Sequence, residues 1–433
     1  MRRTLEIRGG RVIDPANRLD TVTDVYIVGS KIAGIGTPPE GFKSKNVIEA
    51  GGKIVCPGFV DLAARLREPG LEHKGSIASE TRAAAASGIT TLCVPPDTNP
   101  VIDAPPEVAL IRRLAKRAGY AWVVSLGALT RGLDGELLSD MGILKDAGVV
   151  GVSNAMRPIK STMVLRRAME YAATFKLPIH VYPLEPWLSE LGSVHEGVVS
   201  TRLGLPGIPE AAETTEIARL LTLAEHTGCR VHFCRLSTRK GVKMIARAKA
   251  DGLRVSADVA AHQLHLTETD VDGFNTYAHV MPPLRTTQDR DGLKEGVADG
   301  TISCICSDHQ PHEADAKLRP FMQTEPGISG LETLLPLTLS LVESGVLNMS
   351  QAISRLTAGP AQVLGTGVGS LDVGAVADVC VFDPEMDWQL TPDAMLSRGH
   401  NTPFMGLELR GRVCHTVHEG RISFTRQPIQ DQD

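Results

Sequence analysis

Short runs of alternating apolar and polar residues, separated by glycines, occupy both ends of the chain. Near the amino end they are LEIRGGRVID, DVYIVGSKIAGIG and NVIEAGGKIV, and near the carboxyl end SLDVGAVADVCVFDP, LRGRVCHTVHEG and RISF. Alternation with period two is typical of half-buried β-strands, and glycine pairs are typical of turns. Because the two ends share this pattern, we predict that residues 1–56 and 366–433 form one small β-sandwich domain together.

Between these ends, short apolar runs alternate with amphipathic helical stretches. This alternation predicts βα units, and eight of them predict an α/β fold with a (β/α)8 TIM-type barrel over residues 57–365. The strand candidates are IVCPGFVDL, GITTLCVPP, AWVVSLGAL, GVVGVSN, PIHVYPL, RVHFCRLS, RVSADVAAH and ISCICSDH. The helix candidates include SETRAAAAS, PEVALIRRLAKRAG, MVLRRAMEYAATF, TTEIARLLTLAEH and RKGVKMIARAKA.

Composition and charge argue against functions in nucleic-acid binding and in membranes. The formal net charge is −5, and the sequence has neither a basic patch for nucleic acid nor an apolar stretch long enough to span a membrane. The eight cysteines mostly lie in apolar runs without CxxC pairs, which is typical of buried thiols in a reducing compartment. We therefore expect a cytoplasmic protein that binds neither nucleic acid nor membranes.

The carboxyl ends of barrel strands are where chemistry is expected. The longest connection, from Glu185 to Pro209, follows the fifth strand on that face and is rich in glycine, so we interpret it as a lid or a docking loop. The residues at or just after the strand ends include Ala63, Ala64, Arg65, Arg67, Asp97, Asn99, Asn154, His180, Arg235, His262, Asp308, His309 and His312.

A hydrolytic centre with two metal ions would need several neutral imidazoles and carboxylates at this face. Only His180 and Asp308 are convincingly placed. Arg65 and Arg235 follow period-two strand patterns that point them inward, although a position on the rim is the alternative. A guanidinium has no lone pair and stays charged, so we expect both arginines to repel a metal ion and to pair with Asp308.

Other histidines have simpler interpretations. His180, His262 and Asp308 are also consistent with buried polar groups that have no remaining function. His232, His265 and His279 are interpreted as hydrogen-bonding barrel residues, because no partner at metal-ligand spacing accompanies them.

Several stretches resemble the signature segments of dihydroorotase, in the amidohydrolase superfamily. They are FVDLAARLREPG, VPPDTNP, MPPLRTTQDRDGL, SDHQPHE, PGISGLETLLPL, LTAGPAQVLG, GSLDVGAVADVCVFDP and NTPFMGLELRGRV. They follow the family's order and spacing over nearly the whole chain. The resemblance implies, independently of the patterns above, the barrel and the domain built from both termini.

The resemblance also implies which positions would hold metal. Four of them carry residues unsuited to it: Ala63 and Arg65 replace the His-x-His of the first strand, Asn154 replaces a carboxylated lysine or aspartate, and Arg235 replaces a histidine. The family's histidine of strand five and its metal-binding aspartate persist as His180 and Asp308, whereas Tyr182 and Pro183 replace the acidic residues that usually follow that histidine. We therefore expect no catalytic residues, no cofactor and no bound zinc.

Substrate positions are partly retained. Arg67 and His312 match family residues that contact the substrate carboxylate, so residual carboxylate binding is expected there. Asp97 and Met281 replace two asparagines, and the acidic Asp97 is expected to repel an anionic dihydroorotate.

Three functions follow. The first is a non-catalytic dihydroorotase homologue, oligomeric, that serves as an assembly subunit for the catalytic chain of aspartate carbamoyltransferase in pyrimidine synthesis. The resemblance alone implies this partner. The second is an amidohydrolase with an altered or mononuclear metal site at His180 and Asp308, acting on a cyclic amide such as dihydroorotate. The third is a sensor that binds a pyrimidine intermediate through Arg67 and His312.

Overall fold

The computed structural model describes residues 3–426, in which eighteen strands form two large sheets and one short pair. In chain order the strands are β1 (Thr4–Asp14), β2 (Leu19–Val28), β3 (Lys31–Ile35), β4 (Val47–Glu49), β5 (Ile54–Pro57), β6 (Phe59–Asp61), β7 (Ile89–Val94), β8 (Trp122–Ala128), β9 (Gly151–Ser153), β10 (Ile179–Val181), β11 (Val194–His195), β12 (Gly207–Ile208), β13 (Val231–Phe233), β14 (Val255–Ala260), β15 (Cys304–Cys306), β16 (Val379–Gln389), β17 (Glu408–His418) and β18 (Arg421–Thr425).

Eight parallel strands form the central barrel, in the order β15-β14-β13-β10-β9-β8-β7-β6. A parallel bridge between Ala64 and His309 joins the end of the last strand to the end of the first. Each of the eight apolar runs identified in the sequence supplies one of these strands, so the predicted barrel is confirmed. The bridge also brings the segments after β6 and β15 side by side.

Within residues 3–426, twelve α-helices accompany the strands. They are α1 (Ile77–Ala86), α2 (Pro105–Ala118), α3 (Met141–Ala147), α4 (Thr162–Thr174), α5 (Pro186–Ser189), α6 (Val198–Leu203), α7 (Glu210–Thr227), α8 (Arg239–Ala250), α9 (Thr287–Asp299), α10 (Leu334–Glu343), α11 (Met349–Leu356) and α12 (Ala358–Leu364). Helix α8 shows why such segments fold locally. The Thr238 hydroxyl accepts a hydrogen bond from the Gly241 amide at its start, and Val242, Ile245 and Ala248 form its buried face.

The second large sheet joins the two chain termini. Its order is β18-β17-β16-β5-β1-β2-β3, with β4 also paired to β1. Strand β5 pairs with β1 on one side and with β16 on the other, and an apolar cluster that includes Ile7, Val25, Val55 and Val381 is buried against it. The predicted terminal domain is confirmed as a sheet domain. Its limits stay predictions, and residues 1–2 and 427–433 lie outside the described residues.

One predicted barrel strand is wrong, because its residues form two strands in different sheets. The run IVCPGFVDL was expected as a single barrel strand, but it divides at Gly58 into β5 of the terminal sheet and β6 of the barrel. The Gly58 amide donates to the Asp378 carbonyl at 2.9 Å, and a Cβ at this position would lie 2.2 Å from Thr90 Oγ1. Only glycine therefore fits where the chain passes from one sheet to the other.

Replacing Gly58 with alanine is expected to destabilise the protein by about 1–3 kcal/mol, because Thr90 must move to admit the added methyl group. Thermal or urea unfolding measures the effect. Gly51→Ala is the matched control, since a Cβ at Gly51 meets nothing within 4 Å. Equal midpoints for the two variants would contradict the packing argument.

The connection from Glu185 to Pro209 is ordered into secondary structure. It contains α5, β11, α6 and β12, and both residues of β11 pair in parallel with the two residues of β12. Val194 packs with Val271 and Phe321 in a small separate apolar cluster. This segment, which we call the excursion (residues 186–208), thus covers part of the barrel face where the strands end.

Two further expectations concern the cysteines and the membrane. All eight cysteines are buried free thiols, as predicted. Among residues 3–426, every helix is too short or too polar to cross a lipid bilayer.

Candidate functional site

Two arginines and an aspartate meet at the carboxyl ends of β6, β13 and β15. Asp308 Oδ1 lies 3.5 Å from Arg235 Nε and 3.8 Å from Arg65 Nη1. The side chains of Arg65, Arg235 and Asp308 are only 9%, 7% and 3% exposed, respectively. The inward orientation predicted for both arginines is therefore observed, and the alternative of a position on the rim is excluded.

The first arginine has a second acidic partner. Arg65 Nε donates to Asp97 Oδ2 at 2.9 Å, and Nη2 of the same guanidinium lies 2.8 Å from that oxygen. From the sequence, Asp97 was expected to repel an anionic ligand. In the structure its negative charge is paired with Arg65, so this repulsion is weaker than expected.

The second arginine is held by a buried network. Its backbone adopts a left-handed conformation, with φ of 53°, and its amide donates to Asp258 Oδ1 at 2.6 Å. His232 contacts Asp258 through Nε2 at 2.9 Å and Ser256 through Nδ1 at 2.8 Å. The interpretation of His232 as a hydrogen-bonding barrel residue is confirmed. Asp258, which positions Arg235, was not singled out in the sequence.

The charges of this site affect one another. Burial raises the pKa of Asp308, while the guanidiniums of Arg235 and Arg65 oppose that rise by favouring the carboxylate. Burial would also raise the pKa of Asp258, but the His232 hydrogen bond and the Arg235 charge outweigh it and leave that pKa below its ordinary value. Two buried carboxylates thus balance the arginines.

Ala63 and Asn154 supply no ligand at this site. Ala63 offers only a methyl group and is buried. The Asn154 amide is used by neighbouring loops: its oxygen accepts from Thr130 Oγ1 at 2.8 Å, and its nitrogen donates to the Arg157 carbonyl at 3.0 Å. The residue at this family position therefore stabilises the loops after β8 and β9.

His180 is buried beside the site. Its Nε2 has no hydrogen-bond partner among the described residues, and its ring centre lies 5.0 Å from that of His232. Burial lowers the pKa of His180 well below its usual value, with His232 acting in the same direction. His180 is consequently a neutral imidazole.

Few side chains at this face could hold a metal ion. Within residues 3–426, one trio, His180, His232 and Cys234, brings potential ligand atoms within 4.8 Å of one another. Both ring nitrogens of His232 are already hydrogen-bonded, and burial raises the pKa of the Cys234 thiol, so that sulfur is protonated. The Arg235 charge lies next to this trio. The donor set therefore does not fit the two-metal hydrolytic centre of the resembled family.

The remaining histidines are mostly hydrogen-bonded. His265 Nε2 lies 2.9 Å from the Leu337 carbonyl, and His279 Nδ1 lies 2.7 Å from Thr324 Oγ1, as predicted for barrel residues. His309 contacts Glu80 Oε2 at 2.9 Å, a pairing that sequence reasoning missed. Burial lowers the pKa of His262 to about 3, so this residue is an uncharged core group.

Arg67 and His312 form a second, separate cluster near the barrel mouth. Arg67 Nη2 lies 3.1 Å from His312 Nε2, and Arg67 Nε donates to the Pro311 carbonyl at 2.9 Å. Two buried lysines, Lys74 and Lys317, lie next to them and were missed in the sequence. The residues expected to bind a carboxylate thus lie together, but a carboxylate of the protein is already among them: Glu325 Oε2 lies 2.5 Å from Lys74 Nζ and 3.3 Å from His312 Nδ1.

This cluster predicts a pH dependence. Burial, assisted by Arg67, Lys74 and Lys317, lowers the pKa of His312 from 6.5 to about 2. Because the pKa of His312 is lower in the folded protein than in the unfolded chain, the unfolded chain takes up this proton at a higher pH. Protonation therefore favours unfolding, and stability that is present above pH 6.5 is lost as the pH falls below it. We expect the stability of the wild type to fall relative to His312→Gln, by up to about 1.4 kcal/mol per pH unit below that value.

Urea unfolding at a series of pH values measures this difference. Substitution of the exposed His226 by glutamine is the control, and it should leave the pH dependence of the wild type unchanged. A constant gap between the wild type and His312→Gln across this range would show that the cluster does not suppress protonation of His312.

The chain is similar in sequence to dihydroorotase-like proteins. A family model described as dihydro-orotase-like matches residues 52–241. A dihydroorotase-like protein of Pseudomonas aeruginosa is 48% identical over 420 residues, which cover 97% of this chain and 99% of the relative. A protein of Syntrophotalea carbinolica named dihydroorotase is 45% identical over 418 residues, covering 96% and 98%.

Solved structures support the fold. L-hydantoinase from Arthrobacter aurescens aligns with a TM-score of 0.86 at 23% identity, over 99% of this chain and 98% of that one. A D-hydantoinase from Thermus sp. aligns with a TM-score of 0.83 at 20% identity, over 98% and 97%. The hydantoinases show the barrel architecture alone, whereas the relatives above 40% identity share nearly the whole length. The chain belongs to the dihydroorotase-like family of the amidohydrolase superfamily.

Proposed function

We propose that this protein is a non-catalytic member of its family and serves as an assembly subunit for the catalytic chain of aspartate carbamoyltransferase in pyrimidine synthesis. One observation carries the non-catalytic part: Asp308 lies between the guanidiniums of Arg235 and Arg65, at 3.5 and 3.8 Å. The choice of partner rests on the resemblance to inactive homologues in that assembly.

Positive charge, as well as the missing ligands, opposes metal binding at Asp308. A divalent cation at Asp308 would have to displace two arginines that cannot lose their protons and that are buried at their present positions. Hydrolysis of a cyclic amide by this family's route needs an activated water, and these side chains do not supply a group that generates one. Added zinc alone is therefore expected to restore no activity.

An exposed apolar surface supports a role in assembly. On the excursion, Trp187, Leu191 and Val198 are 65%, 81% and 76% exposed, respectively. Met322 is 47% exposed and is tied to the same region by a hydrogen bond from Ser193 Oγ to its sulfur at 3.0 Å. Large apolar side chains concentrated in one region of a surface are typical of protein contact sites. We assign the transferase contact to this surface.

Co-expression with the transferase catalytic chain tests the proposal. We expect the two chains to copurify and to elute together as a large assembly, which is lost when this chain is omitted. A transferase whose size and activity do not change in the absence of this chain would overturn the proposal.

Charged substitutions locate the contact. Trp187→Glu combined with Leu191→Glu should abolish copurification, because burying carboxylates at an apolar interface is costly. Val22→Glu is the matched control, since Val22 is 70% exposed on β2 of the terminal sheet. Loss of binding in the control, or binding that persists in the double variant, would remove the excursion as the contact.

A hydrolase of altered mechanism is the second candidate, and the relatives named dihydroorotase favour it. It would use one ion held by His180 and Asp308 to polarise a cyclic amide. Arg235 opposes it, because this guanidinium already lies 3.5 Å from the only acidic ligand in that pair. Turnover of dihydroorotate in proportion to bound metal would establish this candidate in place of the first.

A sensor role is compatible with assembly. Arg67 and His312 lie 3.1 Å apart beside two buried lysines, and an anionic ligand would take the place of Glu325, which now contacts Lys74 and His312. Calorimetry with dihydroorotate, orotate and carbamoyl aspartate tests whether a pyrimidine intermediate binds there. Absence of binding at millimolar ligand would remove the sensor role and leave the assembly proposal intact.

A further inference from the structure

A cavity of about 340 Å³ lies on the barrel face opposite to the arginine–aspartate site. Its lining residues come from the amino ends of three neighbouring barrel strands: Arg230 precedes β13, Arg254 precedes β14 and Ser303 precedes β15. Because parallel strands all begin at the same end of a barrel, these residues share one face. The cavity is therefore separate from the family's own site.

The cavity walls carry three positive charges that have no carboxylate in direct contact. Arg230, Lys249 and Arg254 line it, and Ser256, Ser303 and Gln362 add neutral polar groups. For the described part of the chain, no carboxylate oxygen lies within 4.0 Å of any of these three cationic groups. Three cations facing one space without a counter-charge favour an anionic ligand.

Backbone contacts hold the cations in place. Arg230 Nη2 donates to the Gln362 carbonyl at 2.9 Å, and Lys249 Nζ donates to the Thr301 carbonyl at 2.7 Å. Arg254 donates through Nη2 to the Gly228 carbonyl. Each group keeps further N–H donors that these contacts do not use. Donors fixed in this way lose little entropy when a ligand binds.

The pKa shifts of Arg230 and Lys249 are consistent with this arrangement. Burial lowers the pKa of Arg230, and the neighbouring Arg254 charge lowers it further. Burial also lowers the pKa of Lys249, with Arg355 acting in the same direction. An anion placed between these groups would relieve both the desolvation and the mutual repulsion.

We propose that this cavity binds the phosphate group of a small phosphorylated metabolite. Three positive charges exceed the single negative charge of a carboxylate. They are a better match for the two negative charges and several acceptor oxygens of a phosphate monoester. The guanidinium fork also fits phosphate geometry in a bidentate manner. Pockets for small-molecule ligands usually enclose about 300–1,000 Å³, so the volume accommodates a phosphate together with the molecule that carries it.

Calorimetric titration of the full-length protein with pyrophosphate at low ionic strength tests the proposal. We expect saturable binding that Arg254→Gln weakens about tenfold, because a charged hydrogen-bond donor is lost. Arg254 is exposed, so this substitution should leave the fold intact. Lys249→Gln is a second variant at the same cavity and should weaken binding to a similar degree.

Arg247→Gln is the matched control. It removes the same charge from the same region, but Arg247 is 86% exposed and pairs with Asp251 at 3.8 Å. Unchanged affinity in this control, with weakened affinity in folded Arg254→Gln or Lys249→Gln, supports the cavity. Equal weakening in all three variants would reveal non-specific charge attraction and overturn the proposal, as would the absence of binding at millimolar pyrophosphate.

Discussion

Replacing Asp308 with alanine is expected to destabilise the protein by about 3 kcal/mol. The substitution leaves the guanidiniums of Arg65 and Arg235 without their shared carboxylate, while both stay buried at 9% and 7% exposure. Removing one partner of a buried ion pair costs about 3–5 kcal/mol, because the remaining charge loses its compensation. We take the lower end, because Asp97 still pairs with Arg65.

Whether Asp308→Ala lowers or raises stability distinguishes an ion-pair role of Asp308 from a catalytic role. In working enzymes, site residues are often held at a cost to stability, so replacing them is frequently neutral or stabilising. Asp291→Ala is the control, since Asp291 is 51% exposed and its pair with Arg290 is worth about 1 kcal/mol at most. Thermal and urea unfolding provide the comparison. An Asp308→Ala protein as stable as the wild type would show that the arginines do not depend on this carboxylate.

A triple variant, Ala63→His with Arg65→His and Arg235→His, is expected to gain zinc binding. It adds three imidazoles to the retained His180 and Asp308 and removes both fixed positive charges. Three or four nitrogen and oxygen ligands are enough for a tight zinc site, so we expect about one zinc per chain after dialysis. Elemental analysis of the purified variant measures it.

Ala63→His alone separates the two causes of metal loss. This single variant adds an imidazole but keeps both arginines, which repel a cation. We expect it to retain no more zinc than the wild type. Stoichiometric zinc in the single variant would mean that a missing ligand, rather than the positive charge, keeps the metal out.

The barrel and the joined termini could be predicted from the sequence because each depends on local patterns. Strand periodicity and the separating helices identified all eight barrel strands. The split at Gly58 could not be predicted in this way, because its cause is a contact with Thr90, 32 residues away in a different strand. The order of the short excursion strands depends on similar long-range contacts.

Those site residues that occupy positions matched to the family could be predicted from the sequence. Arg65, Arg235 and Asp308 do meet, as the inward register of their strands indicated. The partners that hold them were not visible: Asp258 lies on another strand, and its importance appears only when the barrel is closed. The contacts of Asn154 could not be predicted either. Its amide hydrogen-bonds to loop residues, and strand patterns do not describe loop contacts.

The proposal depends most on the absence of a metal centre where Arg65, Arg235 and Asp308 meet. Zinc content and dihydroorotate hydrolysis, measured together on the wild-type protein purified after growth with zinc, test it most directly. We expect no zinc above the level of the buffer and no hydrolysis above the uncatalysed rate. Stoichiometric zinc accompanied by turnover would contradict it.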